Sequence, residues 1–299
     1  MNPFRHGLLA ARTAAVMPHR QRQLATLSAE GNAPLSVLFY HRVADSHPNS
    51  WTIGCQRFRR QIDYCEQNFE LIDLAEMQLR MERGESRRPA VCLTFDDGYR
   101  DNSDFALPLL IQRRIPCTYF VCTANILNQT PFPHDEAAGQ PLAVNSLEQI
   151  QAAADAGIEI GCHTKHHVDF SHVHDERTVR DEIIHAKSEL ENLIDRPIRY
   201  FAFPYGLPEH LTQVAVDAVI EAGFDGFCSG YGAYNLPGES PFHIRRFHGD
   251  PEMARFKNRL SFDSRELQKD FSLDFRLPAR RIPTLPVPTT MTPAFSVLG

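Results

Sequence analysis

Residues 90–98 read Ala-Val-Cys-Leu-Thr-Phe-Asp-Asp-Gly, a short apolar run followed at once by two carboxylates and a glycine. The run does not alternate with polar residues, so it reads as a strand buried on both faces, the kind found in parallel sheets. Neighbouring side chains on an extended backbone point in opposite directions. Asp96 and Asp97 are therefore poorly placed as a facing pair of glycosidase acids, which need roughly 5 to 9 Å with the sugar between them. They suit two different tasks, one as a metal ligand and one as a base, and Gly98 allows the sharp turn that follows. On these residues alone a helix cap or an Asx-turn is an equally good account.

Similar runs recur on either side. Residues 35–40, 117–122, 158–162, 199–203, 224–229 and 242–247 read as strands. Between them lie helical patterns at 58–67, 145–156, 175–194 and 208–222, the third being the longest. Ser146 is suited to cap the second, with Gln149 three residues on and Gly157 ending it. Strands alternating with helices indicate an α/β protein, and seven or eight such units favour a barrel over an open sheet. In a parallel barrel, catalytic groups belong at the C-terminal ends of strands.

Two further segments meet that expectation. After the strand at 158–162 comes Gly161-Cys162-His163-Thr164-Lys165-His166-His167. His163 and His167 are four apart, a spacing that on a helical turn sets both imidazoles toward one ion. Two histidines and a carboxylate leave a position open for water, as a catalytic zinc requires. His166 and His172 have less apt spacing, and any lone histidine is more often a satisfied or solvated residue. After the strand at 199–203 comes Phe203-Pro204-Tyr205-Gly206, either a plain strand stop or a substrate platform whose Tyr205 N–H faces an oxyanion.

The rest of the chain sets bounds. It has 299 residues, 42% hydrophobic and 23% charged, which excludes collagen, coiled coil and general disorder. A net charge of −6 gives no basic excess for nucleic acid. No apolar run approaches the ~18 residues that span a bilayer. The seven cysteines are odd in number and form no CxxC pair, a usage that fits a reducing compartment. Fourteen histidines are present, and His6, His19, His134 and His210 fall where no special role is needed. Residues 1–33 show no sustained period and read as an extension, a weak signal-peptide mimic or a flexible arm. Residues 34–263 form the domain and 264–299 a proline-rich tail, which from Leu277 onward reads as extended and unpaired.

Taken together, TFDDG at 94–98, HTKHH at 163–167, FPYG at 203–206 and PLSVLFYHRV at 34–43 resemble the NodB-type polysaccharide deacetylase family, carbohydrate esterase family 4, in its exopolysaccharide-acting branch. The resemblance covers about 34–262. It implies a distorted (β/α) barrel and a divalent metal, usually zinc, with cobalt, nickel or manganese as alternatives. Matched residue by residue, it assigns Asp97, His163 and His167 as ligands, Asp96 as general base for the attacking water and the Tyr205 N–H as oxyanion donor. The implied reaction removes N-acetyl groups from amino sugars of a polysaccharide, oligosaccharide or lipid-linked glycan.

The match departs from the family in places. Ala202 stands where many members carry the arginine that orients the base, and Phe203 replaces the first proline of that motif. Arg245 and Arg246 of HIRRF are the substitutes, and Arg245 is also a substrate-side candidate. The fourth motif, with its Asp and Trp, is not visible; the only tryptophan is Trp51. For the general acid, His248 is favoured, His243 reads as packing inside its strand, and His41 of YHRV is a substrate contact at the mouth. Two other readings keep the fold: an O-deacetylase or deformylase, and a glycan-binding module without turnover. The expected partner is an N-acetylated carbohydrate, the oligomeric state is open, and the expected location is cytoplasmic.

Overall fold

The computed structural model describes residues 3–232, 234–268 and 275–277. Among the described residues there are eleven strands: β1 (Leu35–Tyr40), β2 (Arg42–Val43), β3 (Thr52–Ile53), β4 (Glu70–Leu71), β5 (Ala90–Phe95), β6 (Cys117–Val121), β7 (Glu159–Cys162), β8 (Tyr200–Ala202), β9 (Gly226–Cys228), β10 (His243–Ile244) and β11 (Phe247–His248). Nine form one sheet in the order β10-β9-β8-β7-β6-β5-β1-β11, with β4 pairing the start of β5. Every pairing is parallel, and β1 and β5 run together for six residues, from Leu35 beside Ala90 to Tyr40 beside Phe95. β2 and β3 pair separately. The two edges of the large sheet, β10 and β11, are pieces of one stretch of chain separated only by Arg245 and Arg246. The sheet therefore curls into a barrel that a broken strand completes, the distorted barrel expected.

Strand periodicity sorts the side chains onto two faces. Leu35, Val37, Ala90, Cys92, Phe120, Tyr200, Ala202, Cys228 and Ile244 form one buried cluster on the inside, filled from below by Met77 and Met81 of the helix Leu74–Arg83. Leu38, Tyr40, Val91, Leu93, Phe95, Tyr119 and Phe201 face outward into a larger cluster shared with the helices. Burying apolar area on both faces is the main stabilising term here, at about 25 cal/mol per Å².

Local signals set the helices. Ser146 and Gln149 form the expected capping box on Leu147–Asp155. The pattern at 175–194 is one continuous run broken by a π-helical segment, Asp181–His185, and it is not the longest helix. That is Pro3–Ala29, 27 residues inside the segment read as a flexible arm. The correction has a polar cause. Arg20 is buried and bonds Asn258 O at 2.6 Å, Ser261 Oγ at 3.1 Å and Asp263 Oδ2 at 2.6 Å, tying this helix to Met253–Leu260 and the turn after it. Leu24 and Leu27 pack on the core beside these buried hydrogen bonds, and the polar share of the docking leaves no hydrophobic period to find. At the other end Phe275 packs 5.8 Å from Phe227, ring to ring, and Arg276 N–H bonds Gln213. The reading of 278–299 as an extended tail lies outside the described residues.

Candidate active site

The carboxylates after β5 diverge as expected. Thr94 and Asp96 continue the inward face of Cys92, and the Asp96 N–H extends the ladder to Tyr40 O at 2.8 Å. Asp97 then takes φ 73° and Gly98 φ 80°, turning the chain sharply. A left-handed conformation is uncommon for a non-glycine residue. Asp97 shares it with Thr164, His167 and Tyr205, so the β5, β7 and β8 exits are all bent at this one end of the barrel. Strain of this kind gathers at functional sites.

The turn brings Asp97 to both histidines. Its Oδ1 lies 3.4 Å from His163 Nε2 and 3.3 Å from His167 Nε2, and all three ligating atoms fall within 4.8 Å of one another. Segment 163–167 is not the helical turn expected. It is a loop, with φ 68° at Thr164 and 57° at His167, and the His167 N–H bonds Thr164 Oγ1 at 2.8 Å. The rings meet because the loop folds back, not because of helical period.

The donor set fits a cation. His163 Nδ1 donates to Ala202 O at 2.7 Å, which leaves the Nε2 lone pair of the neutral ring toward Asp97. Asp97 Oδ1 is buried with no hydrogen-bond partner. Acceptors thus face acceptors in a dry place, which is unfavourable unless positive charge sits between them. Bonds of ~2.1 Å to a tetrahedral ion set ligand atoms roughly 3.4 Å apart, close to the separations here. Burial lowers the His163 pKa, but the two aspartates outweigh it and leave it raised.

Asp96 has a separate partner. Arg246 NH1 and NH2 grip its two oxygens at 2.7 and 2.8 Å, a bidentate pair buried on both sides. The guanidinium also bonds Thr94 Oγ1 and Ser229 O and lies 4.8 Å from the centre of the Phe39 ring. Burial pushes the Asp96 carboxyl up, and Arg246 more than offsets this, holding it below the ordinary carboxylate range. Of the two arginines suggested as partners for Asp96, Arg246 is the one that pairs with it. Arg245 does not: it points away, to Glu239 at 3.0 Å, and is not at the substrate side.

Other sequence candidates are placed as follows. His41 sits half-buried at the end of β1 and feels Asp97, Asp96 and His163; its Nδ1 is buried without a partner, and burial lowers its pKa. His248 lies on β11, its ring centre 6.1 Å from that of His41, with burial bringing its pKa down to about 4. Both histidines line the mouth, and His41 is the one next to the triad. Tyr205 is 52% exposed, with its ring 5.2 Å from His167. Its turn requires Gly206, where a Cβ would lie 2.3 Å from Gly230 N. His243 packs in the core, bonded to Ser229 Oγ at 3.0 Å. His166 turns away to Glu182, and His172 to Asp169.

Three participants have no counterpart among the sequence candidates. Glu182, buried on the π-helical segment, accepts the N–H groups of Lys165 and His166 at 3.0 and 2.8 Å and meets His166 Nδ1 at 2.6 Å. It clamps the loop carrying both histidines. His134 stacks on Phe132, lies 5.9 Å from the His167 ring and meets Tyr99 OH at 3.1 Å. His210 supports Tyr205, the rings 5.3 Å apart. His134 and His210 thus have roles that their places in the sequence do not suggest.

Comparison with known proteins agrees with this geometry. The polysaccharide deacetylase family model matches residues 83–226, a span holding Asp96, Asp97, His163, His167 and Tyr205. A putative polysaccharide deacetylase of Bacillus subtilis (strain 168), YxkH, is 23% identical over 186 residues, 61% of this chain and 60% of that protein's length. Among solved structures, IcaB from Ammonifex degensii superposes with a TM-score of 0.61 at 24% identity, over 75% of this chain and 97% of that one. The Streptococcus pyogenes deacetylase PplD gives 0.63 at 16% identity, over 76% and 98%. These structures share the fold. The motifs stand at the strand ends where the fold gathers them, and over residues 83–226 the chain is similar to the polysaccharide deacetylase family.

Proposed function

We propose that this chain is a metal-dependent hydrolase that removes N-acetyl groups from amino sugars within a glycan. The observation that carries the reading is the buried convergence of Asp97, His163 and His167 beside an independently held Asp96. A divalent ion bound by those three would polarise the amide carbonyl and acidify water. Zinc suits two imidazoles and a carboxylate best.

The chain's own groups divide the remaining work. Asp96, ionised through Arg246, accepts the proton of the attacking water. The salt bridge fixes the direction of its lone pairs, so less reorganisation is needed at the moment of transfer. The Tyr205 N–H, which has no backbone acceptor among the described residues, donates to the amide oxygen as charge grows on it. The leaving amine needs a proton, and His41 is the imidazole next to the triad, with His248 behind it. Glu182 keeps both imidazoles in register.

The test is acetate release from N-acetylglucosamine oligomers, run beside formate release and O-acetyl substrates, with metal content measured on the same protein. Acetate from the amide substrates alone, lost in Asp97→Ala, supports the reading. Full activity and full metal content in Asp97→Ala would sink it.

A further inference from the structure

Trp51 is the chain's single tryptophan and stands 45% exposed at the rim of the site. Its ring centre is 4.7 Å from that of His41 and 6.3 Å from that of His248. A large apolar face left in water beside the mouth imidazoles calls for an occupant.

The loop that presents it is held firmly. The Trp51 N–H bonds Asn49 Oδ1 at 3.0 Å, and Thr52 Oγ1 bonds the same oxygen at 2.7 Å. Buried Arg42 then ties the loop to the barrel, donating to Ser46 O at 2.9 Å and His47 O at 2.7 Å while pairing with Asp101 at 2.6 Å. The ring is thus positioned before any ligand arrives, which lowers the ordering cost of binding.

Beyond it runs a groove of about 680 Å³, between the helix Cys55–Asn68 and the segment after β11. Ser50, Arg57, Arg60 and Arg255 line it, and His248 forms its inner wall, so it opens directly onto the mouth. Its size falls in the range of ligand clefts. Gln61, Asp250 and Glu252 add acceptors, and Pro251 and Met253 a small apolar part, so the walls mix donors and acceptors in a way that suits hydroxyl-rich ligands.

We infer that Trp51 is the stacking platform for a pyranose ring and that this groove takes the sugars that follow it. A pyranose has one face of axial C–H groups that covers an aromatic ring, while its equatorial hydroxyls reach the arginines. The substrate on this account is a residue within a glycan chain, not a free monosaccharide. The inference rests on the glycan reading above.

The experiment uses the full chain carrying Asp96→Asn, so that ligand binds without turnover, and N-acetylglucosamine oligomers from one to five units in β-1,4 and β-1,6 linkage. All tryptophan emission comes from Trp51, so its fluorescence reads the platform directly. The expected result is saturable quenching or a blue shift with the pentamer and affinity rising about tenfold or more from monomer to pentamer. In the otherwise unaltered enzyme, Trp51→Ala should raise KM about tenfold with kcat within about twofold, and Trp51→Phe should recover most of the loss. Acetate release from the pentamer with silent Trp51 emission and an unchanged KM in Trp51→Ala overturns the platform and leaves the deacetylase reading intact. Trp51 quenching with no hydrolysis of any acyl group leaves the platform and removes the reading. Neither binding nor turnover overturns both.

Discussion

Arg246 has the most to explain at the scale of single residues. A guanidinium with 1% exposure inside a barrel is costly unless its charge is matched, and Asp96 matches it with two hydrogen bonds. Its position follows from strand period. Ile244 faces inward, so Arg246, two residues on, faces inward as well, while Arg245 between them turns out to Glu239. The pair was visible in the sequence; which member entered the site depends on the phase of β10, and Ile244 supplies it. Because Arg246 lowers the Asp96 pKa, its loss raises that pKa, and the base then needs a higher pH to be ionised. In Arg246→Ala the acid limb of the pH–rate profile should move to higher pH, and kcat should fall about 10²-fold or more. Arg246→Lys should fall in between, since a lysine cannot grip both oxygens. An acid limb that stays in place would show that Arg246 does not tune the base.

Among the elements, the loop 163–167 and the π-helical segment that holds it separate what the sequence revealed from what it hid. The two candidate ligands on this loop could be read from their place after a strand. His163 and His167 do come together, but not by helical spacing, since Thr164 and His167 have positive φ. Glu182 left one faint sign: it lies in the stripe Val179, Ile183, Ala186 and Leu190, a carboxylate among buried apolar residues. A π-bulge shifts the register of a helix and recurs at functional sites. Replacing Glu182 leaves the Lys165 and His166 N–H groups without their acceptor and frees the loop. Glu182→Gln keeps one oxygen acceptor and should lose less than Glu182→Ala, for which metal affinity should drop about 10 to 100-fold. Competition with a chelator reads this directly, and equal affinity in all three proteins would remove the clamp from the account.

For the whole molecule, the barrel class was legible because strands buried on both faces alternate with helices, whereas the part of the N-terminal helix's docking made by Arg20 was not, because those contacts are polar. The closing strand carries a second buried polar group with a measurable consequence. Burial, then the charge of Arg245, lowers the His243 pKa to about 3. The unfolded chain, with an ordinary pKa of ~6.5, binds the proton first between those values. Stability therefore falls as pH drops from ~6.5 toward 3, with about 2 kcal/mol lost to this group by pH 5. His243→Gln, which can still bond Ser229, should lose less stability between pH 7 and pH 5 in urea unfolding than the unaltered chain. Equal losses would mean that His243 is not buried in its neutral form.

The central claim is that Asp97, His163 and His167 hold one catalytic metal beside Asp96. The most direct measurement is metal stoichiometry together with acetate release, on the unaltered chain, Asp97→Ala and Asp96→Asn. The account predicts about one divalent ion per chain in the unaltered protein and in Asp96→Asn, loss of it in Asp97→Ala, and turnover reduced about 10²–10⁴-fold in Asp96→Asn despite full metal. Metal retained in Asp97→Ala, or undiminished turnover in Asp96→Asn, would contradict it.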